Sequence, residues 1–199
     1  MPPTPPLHSP PHTGVAVLVG NPRTGSRTLS IARHAAGLIA DRLGAPGAPD
    51  AAPAVHDLAE LTDRIGPPLG AGAVDRYAPV LAAVGRAAVL LAATPTYKAS
   101  YTGLLKSFLD LLPSHALAGV AAVPVLTLGA PDHRLAADVH LRPLLLELGA
   151  STPTPALVVG GASLEDPTPV VEAWWRTAEA GLVPALRATA PAVPAPVPA

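Results

Sequence analysis

Three stretches of this chain gather side chains of the types and spacing that chemistry needs. The first is Gly20-Asn21-Pro22-Arg23-Thr24-Gly25-Ser26-Arg27-Thr28, which leads straight into a segment of helical apolar spacing. A helix start presents unpaired N–H groups and about half a positive charge, which suits an anion. Ser26 and Thr28 add hydroxyl donors, and Arg23 and Arg27 add charge and forked donors. One phosphate is the natural guest. The spacing is not that of a dinucleotide fingerprint. It is not that of a P-loop either, because Ser26 stands where the lysine is needed, so a triphosphate is not expected. A simple N-cap would explain one hydroxyl. The Ser26 and Thr28 hydroxyls, together with two arginines and two glycines in nine residues, exceed what a cap requires.

The second stretch runs Thr94-Pro95-Thr96-Tyr97-Lys98-Ala99-Ser100-Tyr101-Thr102-Gly103. It holds two of the three tyrosines and one of the two lysines in a chain that is 3% aromatic. Tyr97 and Tyr101 would flank a planar ring, or else pack the end of a sheet or a subunit contact. Composition leaves both open. The third stretch, Thr127-Leu128-Gly129-Ala130-Pro131-Asp132-His133, is small enough to let a flat ligand approach the backbone. His133 and His140, seven apart, would share a helix face, but two histidines without a third ligand do not make a metal site, and none is expected. Nucleophile elbows, zinc-protease motifs and paired carboxylates are missing, so no catalytic side chain is expected either. Asp57, Glu60 and Asp63 read as a solvated helix face, and Trp174 and Trp175 as packing or subunit contacts.

These loops need elements to hold them. Val15 to Val19, Ala54 to His56 (weakly), Ala88 to Ala92, Val120 to Leu126 and Ala156 to Val159 read as strands. Pro124 inside the fourth hints at an edge-like or bulged position. Helices are predicted over Thr28 to Leu43, Val74 to Gly85, Thr102 to Leu112, Leu135 to Leu148 (closed by Gly149) and Pro169 to Leu186. Apolar strands alternating with helices mean an α/β fold, its parallel sheet covered on both faces. Five such units fit a doubly wound, flavodoxin-like sheet of order 2-1-3-4-5, whose ligand sits beyond the carboxyl ends of the strands. The three chemical loops leave strands at that end.

Composition sets the outer limits. The chain has 199 residues, a net charge of −1 and no cysteine. That excludes a disulfide framework, Cys-ligated metal and thiol catalysis, and gives no basic surplus for nucleic acid. No stretch suits a membrane span or secretory signal, so a soluble cytoplasmic chain is expected. Many of the 27 prolines lie in two Pro-rich stretches, residues 1–13 and 188–199, expected to be disordered tails around one domain at 14–187.

Taken together, the loops resemble the NAD(P)H-dependent FMN reductase family of flavodoxin-like fold, and in particular its alkanesulfonate-utilisation branch. The resemblance is carried by Gly20 to Thr28, by Ala93 to Pro113, and by His133, Leu135, Ala136, Asp138, Leu141, Arg142, Pro143 and Leu145. It extends over about Val15 to Trp175. It implies FMN as an exchangeable cofactor, its phosphate held by Ser26, Arg27 and Thr28, with Arg23 also among the expected cofactor-binding residues. Pro95, Thr96 and Tyr97 would lie along the flavin ring, with Gly129 across the cleft and Lys98 also among the expected cofactor-binding residues. It further implies NAD(P)H as reductant, a homodimer or homotetramer with Tyr101 at a subunit contact, and delivery of reduced flavin to a flavin-dependent monooxygenase. A quinone or azo reductase with retained FMN, and a non-catalytic FMN-binding protein, are the alternatives. Three departures stand out: Ala130 replaces the family's second glycine, Val139-His140 stands where some members have a tyrosine, and the Pro-rich tails have no counterpart.

Overall fold

The computed structural model describes residues 12–44, 52–61 and 72–189. Five parallel strands, β1 (Val15–Val19), β2 (Ala54–Asp57), β3 (Val89–Pro95), β4 (Ala121–Leu128) and β5 (Leu157–Gly160), form one sheet in the order β2-β1-β3-β4-β5. This is the expected topology. The helices are α1 (Arg27–Leu43), α2 (Leu58–Leu61), α3 (Ala73–Arg86), α4 (Gly103–Leu109), α5 (Arg142–Glu147) and α6 (Thr168–Thr189).

Strand alternation divides the core into two layers. Val15, Val17, Val19, Val89, Leu91, Ala93, Val123 and Val125 face α1 and α6, and Trp174 and Trp175 are buried among them. Their neighbours Ala16, Leu18, Leu90, Ala92 and Ala122 face the other way, against Tyr77, Leu105, Phe108 and Leu145 of α3, α4 and α5. With both faces covered, β1, β3 and β4 are apolar at nearly every position, which is why they are legible as strands. The Trp174 indole donates to the Pro155 carbonyl at 2.9 Å, so both tryptophans serve packing within the chain. Among the described residues no helix is long and apolar enough to cross a membrane.

Several expectations change. β4 is an interior strand, not an edge. Pro124 is tolerated there because residues of its parity face β5: Ala122 donates to Ser151, whereas the β4–β5 ladder begins only at Val125 and Leu157. Proline thus sits in a gap of the ladder where no N–H is needed. The helix expected over 135–148 is not continuous. Pro143 has no N–H to offer the Val139 carbonyl, and the preceding turn widens into a π segment, Ala137–Leu141, with the Arg142 N–H reaching back to Ala137. His133 lies in a separate 3-10 turn, Pro131–His133, so His133 and His140 do not share a helix face. Asp57 is not on a solvated helix face: it ends β2 and is 4% exposed, while Asp63 lies outside the described residues. Of the tails, residues 1–11 and 190–199 also lie outside them. Thr13 donates to the Arg86 carbonyl at 3.0 Å and α6 runs through Thr189, so ordered structure reaches past the limits of 14 and 187.

Candidate functional site

The carboxyl ends of β1, β3 and β4 open onto one cleft of about 450 Å3, a size ordinary for a small-molecule site. The loop after β1 forms one wall. Gly20 donates to the Ala93 carbonyl at 2.8 Å, and a Cβ at this position would overlap Leu105, so β1 leaves the sheet beneath α4 only because residue 20 is glycine. The Asn21 side chain then accepts from the Arg23 N–H at 3.0 Å, turning the chain. Gly25 takes a positive φ of 61°, and Ser26 caps α1 by accepting from the Leu29 N–H at 3.2 Å. A capping serine still has its own O–H to donate outward. The helix start, the Ser26 hydroxyl and the Arg23 and Arg27 side chains therefore converge on one end of the cleft.

The loop after β3 forms the second wall. Thr96 is tied to the end of β4 twice, its N–H and its hydroxyl both donating to the Thr127 carbonyl at 2.9 and 2.8 Å. Tyr97 and Ser100 exchange two backbone hydrogen bonds at 2.8 and 3.1 Å, closing a two-residue turn with Lys98 and Ala99 at φ of 51° and 61°. Thr102 caps α4, accepting from Leu105, and its hydroxyl donates to the Gly20 carbonyl at 2.5 Å, joining this loop to the first. The third loop contributes Thr127, Leu128 and Gly129, and Leu164 from the turn after β5 completes the lining.

Eight of the nine residues expected at the site therefore line one cleft: Arg23, Ser26, Arg27, Thr28, Pro95, Thr96, Tyr97 and Gly129. Lys98 does not. It stands at the exposed tip of the Tyr97–Ser100 turn, outside the lining. Thr28 is 1% exposed, with its hydroxyl 2.7 Å from that of Thr127 and accepting from the Asn21 amide at 3.1 Å. Tyr101 packs against the layer under α3 to α5 rather than into the cleft. Ala130 lines only an adjoining hollow of about 270 Å3, with Leu128, Gly129, Arg134, Gly160 and Gly161. No Asp, Glu or His stands among the described residues lining the main cleft, and its charged members are the two arginines. Leu164 was not foreseen, because nothing in the run Gly160 to Leu164 signals its return to the first loop.

Residues 13–163 match the family described as NADPH-dependent FMN reductase. An FMN reductase (NADPH) of Escherichia coli (strain K12) is 51% identical over 61 residues, 31% of this chain and 32% of that protein. The match thus spans about a third of that relative's length. The NADH-dependent FMN reductase SfnE of Pseudomonas putida is 30% identical over 139 residues, 69% of this chain and 72% of its own. Among solved structures, the apo form of the NADH:FMN oxidoreductase EMOB superposes with a TM-score of 0.65 at 30% identity, covering 89% of this chain and 88% of that one. Because the family match takes in all three loops that wall the cleft, the chain belongs to the NADPH-dependent FMN reductase family.

Proposed function

We propose that this chain oxidises NADPH or NADH and reduces FMN, releasing the reduced flavin to a flavin-dependent monooxygenase. One observation carries the reading. The cleft has a cationic, hydroxyl-bearing end at a helix start and, beyond it, a wall of Pro95, Thr96, Tyr97, Leu128 and Gly129, with no Asp, Glu or His among the described residues that line it.

That donor set fits FMN. Arg23, Arg27, the Ser26 hydroxyl and the first turn of α1 would take the phosphate. Pro95, Thr96 and Tyr97 would bound one side of the ring and Gly129 the other. When bound, the flavin supplies the redox chemistry by accepting a hydride from the nicotinamide. What falls to the chain is to hold the two rings in register and keep the slot in shape, and the hydrogen bonds of Thr96 and Thr102 do the latter. The adjoining hollow at Gly129, Arg134 and Gly161 offers room for the rest of the dinucleotide.

A homodimer or homotetramer belongs to the same proposal. It is supported by the apolar side chains of Leu135, Val139 and Leu146, which are 71%, 59% and 50% exposed around the π segment.

The test is flavin selectivity. With NADPH or NADH in excess, FMN should show a KM well below that of riboflavin, which lacks the phosphate, and purified protein should lose its flavin on gel filtration. Equal KM values for the two flavins would contradict the phosphate assignment, and retained flavin would contradict release.

A further inference from the structure

The second arginine of the first loop already has a partner. The Arg27 guanidinium meets the Glu165 carboxylate at 2.5 Å, with both side chains exposed, 62% and 71%. Arg27 opens α1, while Glu165 follows the 3-10 turn Gly161–Leu164, whose Leu164 lines the cleft. The pair therefore ties the loop after β1 to the loop after β5 at the rim of the cleft. Glu165 is held in place by its own N–H, which donates to the Ala162 carbonyl at 3.1 Å. The neighbouring Asp166 accepts from the Thr168 N–H at 3.1 Å, and so serves the start of α6 instead.

An ion pair this exposed adds little to stability, so its consequence lies with whatever else Arg27 must bind. We propose that Glu165 tunes flavin affinity by competing with the FMN phosphate for Arg27. The inference rests on the function proposed above. A phosphate monoester carries between one and two negative charges near neutral pH and seeks the same guanidinium whose Nη2 the Glu165 carboxylate meets. Seating it at Arg27 either breaks the Glu165 contact or leaves two anions around one cation. Either way the loop binds FMN less tightly than its donors allow. The penalty falls only on a phosphorylated ligand, because riboflavin brings no charge to Arg27. Such a counterweight suits a flavin that must leave once reduced.

The experiment compares the full native chain with Glu165→Gln, titrating FMN and riboflavin separately by flavin fluorescence. The FMN Kd should fall about two- to fivefold, in keeping with the modest energies of exposed ion pairs. The riboflavin Kd should not move, and the gain should shrink at high salt. In an Arg27→Gln background, Glu165→Gln should give no gain, since the effect passes through Arg27. An FMN Kd that is unchanged or raised would overturn the inference, as would a parallel fall for riboflavin. Native protein that binds no FMN at all would instead overturn the function proposed above, and this inference with it.

Discussion

The hydroxyls of Thr28 and Thr127 lie 2.7 Å apart and buried, although 99 positions separate them in the chain. With the Asn21 amide donating to Thr28 at 3.1 Å, they fasten the first turn of α1 to the end of β4 beneath the cleft. Thr127→Val removes one side of this contact and leaves the Thr28 hydroxyl one partner short. It should cost about 1–3 kcal/mol in urea denaturation. Thr28→Val with Thr127→Val should cost less than the sum of the two single changes, because no hydroxyl is then left facing an apolar neighbour. Additive losses would contradict the coupling.

Lys98 and Ala99 occupy the left-handed region within the Tyr97–Ser100 turn, at φ of 51° and 61°. Such turns match the twist of paired strands but favour Asn and Gly, since a Cβ is strained there. Ala99→Gly should therefore raise stability by about 1 kcal/mol, read as an increase in Tm. A lower Tm would show that the turn is not held in this conformation.

Two neighbouring residues on β2 should give opposite pH signatures. Burial holds the His56 imidazole below its ordinary range. Its contribution is present above 6.5 and is lost as pH falls through the folded-state value, so His56→Gln should make the acid-side decline shallower. Asp57 is pushed up, chiefly by burial and also by Glu60, against the Ala59 N–H and Arg33. Its contribution is complete below 3.8 and is lost as pH rises through the folded-state value, so the stability of Asp57→Asn relative to native should grow as pH rises above 3.8. Urea denaturation across that range checks both signs, and a flat difference for Asp57→Asn would contradict the second.

The phosphate end of the cleft predicts a kinetic split. Ser26→Ala and Arg27→Ala should each raise the FMN KM, by about tenfold for the arginine, with kcat nearly unchanged. The reason is that the phosphate lies away from the reacting ring and supplies binding common to ground and transition states. Steady-state titration of FMN reads both constants. An equal fall in kcat at constant KM would move these residues out of the phosphate site.

How far the sequence carried differs from element to element. Val15–Val19 and the third strand, read over Ala88 to Ala92 and found at Val89–Pro95, are legible because strands covered on both faces are apolar almost throughout. That Arg23, Ser26 and Arg27 share one cleft is legible because their types crowd into one turn before a helix. The Thr28–Thr127 bond and the Thr102–Gly20 bond were not, since neither partner signals a contact so far along the chain. The Tyr97–Ser100 turn carries none of the Asn or Gly that announces its type, so only tertiary context reveals it. The π segment before Pro143 is likewise hidden: the apolar spacing reads as one helix over 135–148, and the missing N–H of Pro143 shows its effect only in how the preceding turn widens.

The most direct test of the central claim is the decay of nicotinamide absorbance when purified full-length protein is mixed with NADPH, or with NADH, and FMN is then added. Oxidation of at least one of the two should be slow without flavin and accelerate in saturable fashion with FMN. If added FMN leaves the decay of both unchanged, the protein is not a flavin reductase.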